Sequence, residues 1–98
     1  MNMREIQKMQ QKIMKMQEEL EATLFTGTAG GGAVTITMNG KFETVGLKID
    51  PEAFNPDDIA ELEVMILAAS KDAFNKASEA QQRLASAAAG NIRIPGLF

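Results

Sequence analysis

The residues of this chain best suited to chemistry are cations. Arg4, Lys8, Lys12 and Lys15 sit at helical spacing, and on a wheel of about 100° per residue they fall within about 80° of one another. Arg4, Lys8 and Lys12 are successive i,i+4 neighbours, where like charges disfavour a helix by a few tenths of a kcal/mol per pair. Glu5, three before Lys8, and Glu19, four after Lys15, offset them in part. Two readings stay open: a solvated helix face, or a stripe that contacts phosphates.

Other candidates have simpler explanations. Gly30-Gly31-Gly32 has the look of a phosphate cradle, but a P-loop needs Lys-Ser/Thr and then a helix; Ala33-Val34 and a strand follow here. A flexible hairpin or bulge explains the glycines. Asp57, Asp58 and Glu61 invite a metal reading, yet carboxylates at a helix start complement the dipole without one. Lys76 and Arg83 have helical partners in Asp72 and Glu79, whereas Lys71 faces Leu67, Ala68, Phe74 and Asn75 and has none. Lys71 is therefore the best basic candidate in the second half.

Composition excludes much else. The 98 residues contain no Cys, His, Trp or Tyr, which removes thiolate and disulfide chemistry, the commonest general base and the commonest metal ligand. An enzyme would need a carboxylate or lysine centre, and no convergent set is visible. Nothing points to a cofactor or a small-molecule substrate. No signal-peptide core and no apolar run of about 20 residues appears, so a soluble cytoplasmic protein without membrane contact is expected. Net charge is −3; residues 1–50 carry six basic and six acidic side chains, residues 51–98 four and seven. The acidity belongs to the C-terminal half, so it weakens a nucleic-acid reading without opposing the basic stripe locally.

The elements that must position these groups are legible from periodicity. A first helix is expected over 1–21, with Ile6, Met9, Ile13, Met16 and Leu20 as an apolar seam. A three-stranded antiparallel meander is expected within 22–49, as strands 22–29, 33–38 and 42–49, with Asn39-Gly40 as a type I′ turn. A long helix follows over 55–89, with Asn55 as N-cap, Pro56 in the first turn and Gly90 as the C-terminal stop. Residues 90–98 form an apolar tail. The chain reads as a single α+β domain of order α-β-β-β-α.

The long helix dominates this plan. From Pro56 to Ala89 it would measure about 51 Å, against a radius of gyration of about 13 Å for a compact domain of this size. Its seam runs through Ile59, Leu62, Ile66, Ala69, Ala73 and Ala77, then Ala80, Leu84 and Ala87, and a second apolar line holds Met65, Leu67 and Phe74. Small residues would let another backbone come close. A second copy of the chain is expected on Ile59, Leu62, Ile66, Ala69, Ala73 and Ala77.

Several segments, in this order and spacing, resemble the YbaB/EbfC family of bacterial nucleoid-associated proteins over nearly the whole length. They are Met9–Leu20, Thr26-Gly27-Thr28-Ala29-Gly30-Gly31-Gly32-Ala33-Val34, Asn39-Gly40, Ile49-Asp50-Pro51, Asp57-Asp58, Leu62-Glu63, Ala68-Ala69, Asp72-Ala73 and Pro95-Gly96-Leu97-Phe98. The resemblance implies an intertwined homodimer with helices projecting like pincers. It further implies DNA binding in the nucleoid, an influence on gene expression, and no enzymatic activity. Carried onto this sequence, it places DNA contacts at Arg4, Lys8, Lys12, Lys15 and Lys71. The competing class is a structural or adaptor homodimer that binds another protein through its helix seams and apolar tail.

Overall fold

A computed structural model describes residues 2–92. Its order is α1 (Met3–Ala22), β1 (Leu24–Ala29), β2 (Val34–Asn39), β3 (Thr44–Ile49) and α2 (Ile59–Ile92), with short 3₁₀ turns at Gly30–Gly32 and Pro51–Ala53. This is the expected α-β-β-β-α fold. The strands form one antiparallel sheet in the order β1-β2-β3. In register, Gly27 lies opposite Ile36 and Thr28 opposite Thr35, while Ile36 lies opposite Leu47 and Val34 opposite Ile49. A bulge beside Thr37 and Met38 interrupts the second pairing.

Alternation along β2 explains the core. Val34, Ile36 and Met38 are buried on one face, where they meet Ala69, Ala73 and Ala77 of α2. Thr35 and Thr37 point to the opposite, wetter face, as a period of two requires. Phe25, Ala29, Ile49, Phe54, Leu62, Met65 and Ile66 pack around that cluster. Val34 is the only large side chain fully buried among the described residues, so the protomer's own core is thin.

The alanine stripe corrects one expectation. Ala69, Ala73 and Ala77 do not await a second copy: each is fully buried within the protomer, against its own sheet. The backbone that comes close is that of β1. A Cβ on Gly27 would collide with the Ala69 carbonyl oxygen and the Ala73 nitrogen, so strand and helix touch backbone to backbone. Ile59 remains exposed, and Leu62 and Ile66 are half-buried.

Three boundaries also differ. The cap of α2 is Asp58, whose Oδ1 accepts from Glu61 N at 3.0 Å. Asn55 instead closes a separate turn, its Oδ1 accepting from Asp57 N at 3.0 Å and its carbonyl from Asp58 N at 2.9 Å. An acid followed three residues later by Glu is the stronger start signal. At the other end α2 runs through Gly90 to Ile92, because a helical glycine costs only about 1 kcal/mol relative to alanine and does not compel a stop. The tail beyond it lies outside the described residues.

The third difference is the turn after β2. Positive φ falls on Phe42, at 64°, and not on Gly40. Asn39 organises the loop: its Oδ1 accepts from Lys41 N at 2.9 Å and from Glu43 N at 3.1 Å. The Phe42 backbone N–H donates to the Asn39 carbonyl at 3.1 Å, and its ring lies 5.0 Å from that of Phe74. Gly40 is needed for another reason, since a Cβ there would strike the Leu20 carbonyl at the end of α1.

That contact seats α1 on the sheet. Met16 and Leu20 line a cleft with Ala80, Leu84 and Ala87 of α2, so the seams of the two helices face each other beyond the sheet. Gln81 adds a tie, Nε2 donating to the Gly40 carbonyl at 2.8 Å. Together the helices form an arm. The molecule measures 65 × 25 × 15 Å with a radius of gyration of 18.9 Å, well above the value of about 13 Å for a compact chain of this length.

Candidate nucleic-acid interface

The candidate site is built on α1. Asn2 caps the helix, Oδ1 accepting from Glu5 N at 2.9 Å, and Thr23 closes it, Oγ1 donating to the Glu19 carbonyl at 2.7 Å. With both ends fixed, the wheel decides which side chains share a side. Of the expected seam, Met9, Ile13, Met16 and Leu20 are half-buried, whereas Ile6, nearer the free end of the helix, is exposed. Arg4, Lys8, Lys12 and Lys15 are all exposed on another face. Arg4 and Lys15 are separated by about 16 Å of helix axis.

None of these four cations is paired. Among the described residues the ion pairs are Lys76–Asp72 at 3.4 Å and Arg83–Glu79 at 3.6 Å, both on α2. Unpaired guanidinium and ammonium groups keep all their donors free for an external anion. A row of this kind can neutralise successive phosphates, and it carries no group aimed to read a base edge.

Lys71 is exposed but stands apart. It lies on the half of α2 that covers the sheet, nine residues before Ala80, where the cleft with α1 begins. The structure thus groups Arg4, Lys8, Lys12 and Lys15 on one helix face and leaves Lys71 outside that group.

Two side chains have a second task that sequence reasoning missed. Lys76 donates from Nζ to the Thr26 carbonyl at 2.8 Å, and Asp72 Oδ2 accepts from Thr28 N at 3.0 Å. The intrahelical pair therefore also clasps the outer edge of β1. Thr28 N–H, with Lys76 adding to it, holds the Asp72 carboxyl below its usual range, against a smaller opposing effect of desolvation. No group of three metal-ligating side chains occurs among the described residues. No helix among them is long and apolar enough to cross a membrane.

The sequence profile of the YbaB/EbfC DNA-binding family matches residues 1–92. The chain belongs to that family. Among relatives, a nucleoid-associated protein of Pelotomaculum thermopropionicum is 45% identical over 96 residues, covering 98% of this chain and 91% of that one. A nucleoid-associated protein of Dictyoglomus thermophilum is 48% identical over 97 residues, covering 98% and 93%. The fold has a solved counterpart in an uncharacterized protein of Helicobacter pylori. Its TM-score is 0.66 at 26% identity, covering 82% of this chain and 93% of that one. In this YbaB/EbfC chain the exposed cations of α1 are the feature that suits a DNA-binding family.

Proposed function

We propose that this protein is a homodimeric, nucleoid-associated DNA-binding protein of the cytoplasm that grips phosphates with α1 and reads little base sequence. The observation that carries the reading is the unpaired row Arg4, Lys8, Lys12 and Lys15, on a helix that stands out from the sheet. Family membership and the names of the relatives support DNA as the partner. Contacts of this kind are independent of sequence, which suits a role in nucleoid organisation and, through it, in gene expression. Lys71 is a secondary contact, reached by DNA that extends past the arm.

The dimer is supported by surface the protomer leaves uncovered. Ile59, Val64, Leu67 and Phe74 of α2 are all exposed, with Leu67 at 71%. Leu67 and Phe74, seven residues apart, share one flank of the helix, and exposed large apolar side chains side by side suit an interaction face. The same surface would serve an adaptor protein with a different partner, but that reading leaves the cations of α1 without a task.

The test is a mobility shift on several unrelated duplexes, with light scattering on the free protein. The expected results are a mass twice that of the 10.6 kDa chain and similar affinity for each duplex. Absence of a shift at low salt would refute DNA binding.

A further inference from the structure

The two helices of the arm end at different heights. Gly40 lies against the Leu20 carbonyl, and its own carbonyl accepts from Gln81, so Leu20 and Gln81 stand level. From that level α1 can be followed outward toward its start and α2 toward its end. Eleven residues on from Gln81 is Ile92, the last of α2; eleven residues back from Leu20 is Met9. Each step covers about 16 Å of helix axis, so α2 ends beside Met9 and the first turns of α1 project past it. Burial changes at the same place. Ile13 and Met9 are half-buried, whereas Ile6 and Met3, which carry the seam outward at steps of three, are 37% and 70% exposed.

We infer that the segment 93–98 docks in its own protomer on this uncovered end of the α1 seam, with Leu97 and Phe98 against Met3 and Ile6. Reach favours this occupant. Six residues span at most about 20 Å, and the seam from Met9 to Met3 is about 9 Å long. The other apolar hollow, lined by Ile49, Phe54, Ile59 and Leu62, lies about 45 Å back along α2, beyond that span.

Composition favours it too. Three of the six residues, Ile94, Leu97 and Phe98, are apolar, and none is acidic. Pro95 disfavours a helical Ile94, and Pro95-Gly96 suits the two central positions of a turn. A turn at that point leads the chain off the α2 axis just where the α1 seam loses its cover. A segment tethered this closely has an effective concentration in the millimolar range, about a thousandfold above a separate partner at micromolar concentration. Arg4 and Lys8 stand on the turns so covered, and the contact therefore steadies the outer half of the cation row. It does so whether or not that row meets DNA.

NMR on the full chain reads the contact directly. A nuclear Overhauser effect between the Ile6 δ1 methyl and the Phe98 ring is expected, and its absence overturns the docking. In the neutral variant Leu97→Ser/Phe98→Ser, amide exchange at Lys8 and Met9 should rise at least about tenfold, the factor expected when one large buried apolar contact is lost. Exchange at Leu20, beside the sheet, should stay as it was. Unchanged exchange at Lys8 and Met9 also overturns the inference. Because the protein has no cysteine, Ile6→Cys/Leu97→Cys supplies one defined pair, and mild oxidation should close a disulfide within the chain at its 10.6 kDa mass. Glu61→Cys/Leu97→Cys, with its thiols at opposite ends of α2, should close none within the chain. A covalent dimer from the Ile6→Cys/Leu97→Cys pair would show the segment crossing to another copy and would overturn docking in its own protomer.

Discussion

Replacing Lys8 and Lys12 by alanine should halve the salt dependence of DNA binding. Four unpaired cations face outward on α1, and if each neutralises one phosphate the slope of log K against log salt is about −3.6 for each engaged protomer. Removing two leaves about −1.8. Between 50 and 200 mM salt the wild type then loses roughly 150-fold in affinity per engaged protomer and the double variant roughly 12-fold. The helix itself should survive, since alanine is the better helix former and the change relieves like-charge neighbours. Fluorescence anisotropy on two unrelated duplexes across that salt range measures both slopes. Arg83→Ala, at a residue already paired with Glu79, is the control and should leave the slope unchanged. A double variant with the wild-type slope would refute the assignment of the phosphate contacts to α1.

Further predictions concern the scaffold. Gly27→Ala would drive a methyl group into the backbone of α2 and should cost about 3 kcal/mol or more, lowering the thermal midpoint by roughly 15 °C. Asp58→Ala removes the N-cap of α2 and should cost about 1 kcal/mol in chemical denaturation, whereas Asn55→Ala should cost less. The Asp72 carboxyl is held below its ordinary value, so its contribution is full above about pH 4 and is lost as pH falls through the lowered folded value. Asp72→Ala should therefore destabilise the protein at neutral pH and converge with wild type in strong acid. Parallel denaturation curves at pH 7 and pH 2.5 check this, and an equal deficit at both would contradict it.

Sequence periodicity was enough to reveal the elements but not all of their contacts. The α1 seam from Ile6 to Leu20 and the alternation of β2 carry their own signals, because each follows the repeat of one element. The stripe Ala69, Ala73 and Ala77 is legible as a place of close approach, yet spacing along one helix cannot say whose backbone approaches. The answer lay in Gly27, since a glycine within a strand often marks such an approach. Gly40 misled for a related reason: glycine serves both positive φ and absent bulk, and here the second applied. Asp72 and Lys76 already explain each other at i,i+4, so nothing local announced their reach to β1. The exposure of the cation row was legible from the wheel, but its freedom from ion pairs was not, since spacing offers Glu5 to Lys8 and Glu19 to Lys15 and neither pair forms.

The most direct measurement is lysine-modification footprinting by mass spectrometry, with and without duplex DNA at low salt. Lys8, Lys12 and Lys15 should become strongly protected, while Lys41 and Lys48 on the sheet side keep their reactivity. Protection of Lys41 and Lys48 with the α1 lysines unchanged would contradict the placement of DNA on this helix.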